Sequence, residues 1–197
     1  MKFVDLSRHL RQLRSDRTGR LASSAMNAIE VWQGALECPQ NGIGQIYYND
    51  ANLPAPLLGF FARMRGPLGD VADIYVHKPH GKSNKRRLAR HWKEFVIIKE
   101  LMHCWSPTRT YNGTANVAAD LLSDLNTPSG PFGVTAQADY VAILAAAEVI
   151  LPGAPVKKAI AQGKEIAQIA VEHALHPELV AYICRHDILE ARMHGSL

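Results

Sequence analysis

The chain has 197 residues, 47% of them hydrophobic, and a formal net charge of +4. That is enough apolar material for one buried core, and too much for a disordered chain. No apolar run approaches the roughly 20 residues that cross a bilayer, and the opening "MKFVDLSRHLRQ" has no signal-peptide stretch, so a cytoplasmic protein without a membrane is expected.

Three cysteines, Cys38, Cys104 and Cys184, lie far apart without a C-x-x-C pair. They argue against a disulfide framework or a cysteine zinc site and are expected as buried free thiols. Residues 1–93 hold 15 Lys/Arg against 7 Asp/Glu, whereas 94–197 hold 7 against 11. The basic charge collects at Arg8, Arg11, Arg14, Arg17 and Arg20, and again at Lys82, Lys85, Arg86, Arg87, Arg90 and Lys93. Such clusters can neutralise phosphates or an acidic partner, or simply form solvated faces.

In chain order, apolar residues at helical spacing predict a helix from Leu6 to Glu37, with a break admitted near Thr18-Gly19. The turn-forming "CPQNG" and "NDANLPAP" bracket a strand at "IGQIYY", and "ADIYVHK" reads as another. Residues 43–78 are therefore expected as a small, meandering, mainly antiparallel sheet. Ser83 or Asn84 is the expected cap of the next helix, 85–105. Further helices are expected at 114–125, 135–151, 154–162, 164–174 and 177–190, punctuated by Pro152 and "NTPSGPFG". The layout is α+β in one domain of 1–197: an N-terminal helical segment at 1–37, a core at 38–163, and a helix-turn-helix-like end at 164–190.

The helix that ends in "EFVIIKELMHCW" carries the candidate chemistry. At 100° per residue, Lys99, His103 and Glu100 fall at about 0°, 40° and 100° around its axis, on one arc of an otherwise apolar helix. In a zinc-protease helix two His one turn apart hold the ion, and the Glu beside the first polarises water. Here the second His and the Glu are present, and Lys99 stands at the first His. A Lys ammonium has no lone pair and repels a cation. Two ligands alone hold zinc poorly. On spacing alone, Lys99 and Glu100 also read as surface charges, with His103 in an i,i+3 pair with Glu100.

The order of features resembles the ImmA/IrrE family of regulatory metallopeptidases, a zincin-like fold, over roughly residues 40–190. The likeness rests on a helical start, a compact sheet, "ADIYVH", the Asn-Arg-rich "SNKRRLA", then the K-E-x-x-H helix. Downstream, "DYVAILAAAEVILP" at 139–152 is similar to the family's E-x-x-A-x-x-F-A-x-x-L-L-x-P segment. Ala142, Ala146 and Pro152 match, Ala145 stands for Phe, and Asp139 replaces the acidic third ligand. The resemblance implies His103 and Asp139 as metal ligands, Glu100 as general base or water orienter, and zinc as a cofactor that this chain can lack. Lys99 can replace the charge of the metal and pair with Glu100 and Asp139, be neutralised by burial, or accompany a different ligand set. The family acts on or through helix-turn-helix repressors in phage, mobile-element and stress regulation. A protein partner of that kind is implied, with impaired or altered cleavage, at a groove beside the central helix bordered by a strand edge. Asp139 has a second reading as an acid in the first turn of its helix.

The remaining histidines suggest no site: His77 and His80 flank a Pro, His91 lies three turns before His103, and His173, His176, His186 and His194 read as surface or partly buried residues. Gly-rich phosphate loops and G-x-S-x-G patterns are missing. A DNA-binding regulator is the alternative function. The 164–190 segment has the apolar framework of a helix-turn-helix, but "PELVAYICRHDILE" sets Arg185 against Glu178, Asp187 and Glu190. The basic segments at 8–20 and 82–93, with Arg86, Arg87 and Arg90, are the better candidates for nucleic acid.

Overall fold

The computed structural model describes residues 1–19, 24–54, 57–78, 89–106 and 134–195. The helix expected at 114–125, the cap at Ser83 or Asn84, and Arg86 and Arg87 lie outside the described residues. The class is α+β: a three-stranded mixed sheet and eight α-helices among the described residues.

Helix α1 (Phe3–Thr18) turns Phe3, Leu6, Leu10, Arg11 and Arg14 inward at helical spacing. It stops where Gly19 adopts a left-handed φ of 66° and returns its N–H to Ser15 O at 2.8 Å, a conformation that costs glycine no Cβ clash. The N-terminal helical segment is thus broken at Thr18-Gly19, where the sequence admitted a break. Helix α2 (Ala28–Glu37) begins at a capping box, Asn27 Oδ1 accepting from Glu30 N while Glu30 Oε2 accepts from Asn27 N, each at 3.0 Å.

The strands are β1 (Ile43–Ala51), β2 (Gly59–Gly66) and β3 (Gly69–His77), in the order β1-β3-β2. Strands β2 and β3 form an antiparallel hairpin, but β1 runs parallel to β3. The sheet is therefore mixed, not the mainly antiparallel meander expected. The connection after β1 carries the chain to the far side and leaves β3 in the centre. Leu53 and Leu57 of that connection bury against Phe60 and Ala62, covering the second face of the sheet.

The main core joins Ala72, Ile74 and Val76 of β3 to helix α3 (Arg90–Met102) and helix α4 (Val134–Ile150). Helix α4 packs against α1, α3 and the last helix, with Ala145, Ala146 and Ala147 fully buried. Its C-terminal carbonyls would be orphaned in that core. Remote donors satisfy them: Arg192 Nη1 to Ala147 O (2.8 Å), Ser7 Oγ to Glu148 O (3.1 Å), and Arg11 Nη2 to Val149 O (2.7 Å) and Ile150 O (3.2 Å). Cations here also complement the negative end of the helix dipole.

The chain then forms α5 (Gly153–Ala161), α6 (Ile166–Glu172), α7 (Pro177–Ile183) and α8 (His186–His194). The expected 177–190 helix is two helices meeting at Cys184-Arg185. Of the apolar framework expected there, Ala170, Val180 and Ile183 are buried and Ile166 and Leu175 half-buried, whereas Ala167 is exposed. All three cysteines are free and buried. No single helix among the described residues is long and apolar enough to cross a membrane.

Candidate functional site

The C-terminal turns of α3 bury on nearly every side, with Ile98, Leu101 and Met102 in the core. Lys99 at 8% exposure and Glu100 at 0% share that burial, and His103 opens the short 3₁₀ turn His103–Trp105 that follows. Helix α4 crosses α3 and brings Asp139 to the same point. The four residues singled out from the sequence therefore meet. Lys99 Nζ donates a short hydrogen bond to Asp139 Oδ1 and lies 2.7 Å from Glu100 Oε1. His103 Nε2 lies 3.7 Å from both Glu100 Oε2 and Asp139 Oδ1.

Two residues not anticipated from the sequence border this cluster, both on the outer strand β2. The Phe61 ring lies 5.5 Å from that of His103. A Cβ on Gly59 would fall 2.7 Å from Glu100 Oε1, so glycine is what lets the strand pass so close to the carboxylate. Neither has a motif; only the strand pairing, Gly59 with Val76 and Phe61 with Ile74, reveals them.

The electrostatics divide the two acids. Burial raises the pKa of Asp139, but the neighbouring His103 and the Lys99 charge outweigh it and hold the carboxyl well below its ordinary range. Glu100 goes the other way, because burial outweighs the attraction of Lys99 and pushes its carboxyl up. The Lys99 contact is off the hydrogen-bond direction, leaving neither Glu100 oxygen with a hydrogen-bond donor among the described residues. Burial works against the Lys99 ammonium, yet Glu100 and Asp139 together hold its pKa above the usual value. The charge pattern is a Lys99–Asp139 ion pair beside a carboxyl pushed toward neutrality.

Glu100, His103 and Asp139 have potential ligand atoms within 4.8 Å of one another, as a metal group requires. Zinc nevertheless does not fit this cluster as it stands. The ammonium of Lys99 already binds both carboxylates, and a protonated amine has nothing to donate to an ion and repels its charge.

The other sequence candidates divide. Arg90 is exposed at the start of α3. Arg11 and Arg14 are buried, Arg14 completely, pointing at carbonyls and at Glu30, while Arg8 and Arg17 pair with Asp5 and Glu37. Two arginines of the described part of the 8–20 segment are thus turned inward, and Arg8 stays exposed. A groove of about 580 Å³ does run beside α3, lined by Ile29, Trp32 and Leu36 of α2, Tyr48 of the outer strand β1, and Lys93 and Ile97 of α3. Ile29 in it is 70% exposed.

Compared with known proteins, the chain matches no protein-family model, no curated protein and no solved structure.

Proposed function

We propose that this is an ImmA/IrrE-like regulatory protein on a zincin-like scaffold, its peptidase site altered by Lys99, which acts by binding a helix-turn-helix transcriptional regulator. The observation that carries the reading is the Lys99 ammonium seated between Glu100 and Asp139 with His103 at 3.7 Å from both acids. Three side chains that would form a peptidase centre are gathered from two crossing helices, and a cation of the chain itself occupies their midst. Each charge has a counter-charge, which is the condition for an ion cluster to survive burial without a metal.

In this reading Asp139 anchors Lys99, His103 closes the cluster, and the Lys99 ammonium at 2.7 Å from Glu100 Oε1 stands where that carboxylate would meet a water. Binding then falls to the surface. The apolar groove beside α3, bordered by the outer strand β1, supports a protein partner, because a strand edge can pair with an extended segment while the groove takes its apolar side chains.

Metal analysis of the purified chain, with and without His103→Ala, tests the altered site. A zinc content that His103→Ala leaves unchanged agrees with it. One zinc per chain that disappears with His103→Ala restores the reading of a working metallopeptidase.

A further inference from the structure

We propose that His91, His176 and Glu178 form a second site, one for a divalent transition-metal ion such as zinc, independent of the Lys99 cluster and of the function proposed above. Distance along the chain hides the site from the sequence: His91 lies in the first turn of α3, His176 caps α7, and Glu178 follows in its first turn.

An interlocked aromatic triad brings these ends together. Trp92 meets Tyr182 edge-on at 5.4 Å, Phe95 meets Tyr182 at 5.7 Å, and Trp92 meets Phe95 at 6.1 Å, so α3 and α7 are braced next to the three polar side chains. His91 Nε2 then sits 3.3 Å from Glu178 Oε2, and the His91 and His176 rings stack at 3.7 Å with their planes 1° apart. All three residues offer ligand atoms within 4.8 Å of one another. Tetrahedral zinc with bonds of about 2.0–2.2 Å needs ligand atoms roughly 3.3–3.6 Å apart. The His91–Glu178 edge already has that length, and the third ligand has at most about 1.5 Å to close.

Two features set how the ion would enter. Lone pairs lie in the ring planes, so stacked imidazoles do not aim both at one point, and one ring must turn. His176 is the one free to do so, being exposed, whereas His91 Nε2 is shielded from solvent and has no hydrogen-bond partner among the described residues. The cost is a single long hydrogen bond, Glu178 N–H to His176 Nδ1 at 3.3 Å. Two imidazoles and one carboxylate select zinc, cobalt or nickel over calcium or magnesium, which prefer oxygen shells. The site opens on a cleft of about 540 Å³ that also carries Glu94, Glu172 and His173, leaving room for water at the fourth position.

The test is titration of the full, chelator-treated chain with zinc by calorimetry and with cobalt by visible absorption. About one equivalent should bind, and Glu178→Gln and His176→Gln should each weaken it at least as much as a change beside a metal ligand does, ~10-fold or more. Glu178 has a 69% exposed side chain, so its variant keeps the fold even if a change at His91 does not. His103→Ala should leave this equivalent in place. Any second equivalent that His103→Ala removes would instead count against the altered peptidase site, so the two proposals fail separately. No binding at millimolar ion, or binding that Glu178→Gln and His176→Gln leave unchanged, overturns the site.

Discussion

Lys99 Nζ reaches Glu100 Oε1 at 2.7 Å although the two residues are neighbours on α3, whose side chains leave the axis about 100° apart. The long Lys stem bends back into the core because Asp139 of α4 holds its end there. Lys99→Met should therefore expose the cost of two facing acids, a loss of about 3–5 kcal/mol in urea unfolding at neutral pH. The pH dependence follows from the directions of the shifts. In the wild type the Asp139 carboxyl is depressed, so its contribution is present above the ordinary carboxylate pKa and fades as pH falls through the lower folded value. The Lys99 amine is raised, so its contribution is full below the ordinary Lys pKa and is lost only as pH climbs through the higher folded one. Without the amine, both carboxyls are penalised while charged. The gap between variant and wild type should then narrow from pH 7 to pH 5; a gap that widens contradicts the pairing.

Lys99→His supplies what the cluster lacks as a metal site. An imidazole at position 99 joins His103 and Asp139, and the variant should take up about one zinc per chain more than wild type, measurable by elemental analysis. Zinc at 100 times its dissociation constant should stabilise it by about 2.7 kcal/mol. A variant that folds but binds no more zinc than wild type would show that α4 does not present Asp139 as a ligand.

Gly59→Ala probes the approach of β2. The new methyl would meet Val96 Cγ1 at 2.6 Å, Glu100 Oε1 at 2.7 Å and the Tyr75 carbonyl at 3.1 Å, the last being backbone that cannot swing aside. A loss of about 1–3 kcal/mol is expected from overpacking, read as a lowered thermal midpoint.

Arg11→Gln should act on folding. It strands the Val149 carbonyl at the end of α4, at about 1–3 kcal/mol for the group left unsatisfied, and leaves the Ile150 carbonyl to the Met26 N–H at 3.3 Å. Arg8→Gln, on the exposed side of the same helix, should stay within about 0.5 kcal/mol of wild type. Equal effects in chemical denaturation would mean that Arg11 is not holding α4.

Burial pushes the Cys104 thiol up to about 12 and raises that of Cys184, which suppresses the reactive thiolate. Native protein at pH 8 should resist iodoacetamide at both, and label fully once unfolded. Rapid native labelling of Cys104, followed by mass spectrometry, is the contrary result.

The sequence disclosed the cluster well because helical phase is local information: Lys99, Glu100 and His103 lie within five residues, and their shared arc can be computed. Asp139 required the family resemblance, since nothing in its own segment tells a ligand from an acid at a helix start. The order of the strands was hidden, because the path between Ala51 and Gly59 decides whether β1 lies parallel or antiparallel to β3. Strand β2, "GFFARMRG", was obscured by two arginines, of which Arg63 is buried against Asp70 at 2.8 Å. The arginine run misled for a related reason. Long side chains can carry charge inward when carbonyls wait for it, and no count of charges says which way they turn. His91 and His176 meet across 85 positions of chain, beyond the reach of any spacing rule.

Helix α1 finds some of its partners late. The α4 carbonyls that bind Arg11 and Ser7, and the Gly195 carbonyl that accepts the Phe3 N–H, all belong to chain made more than a hundred residues later. At about 5–20 residues per second a ribosome needs roughly 7–40 s to reach them. During translation, then, α2 covers one side of this arginine-bearing helix early, while the side that meets α4 and α8 waits, and the closing of the core is a late event.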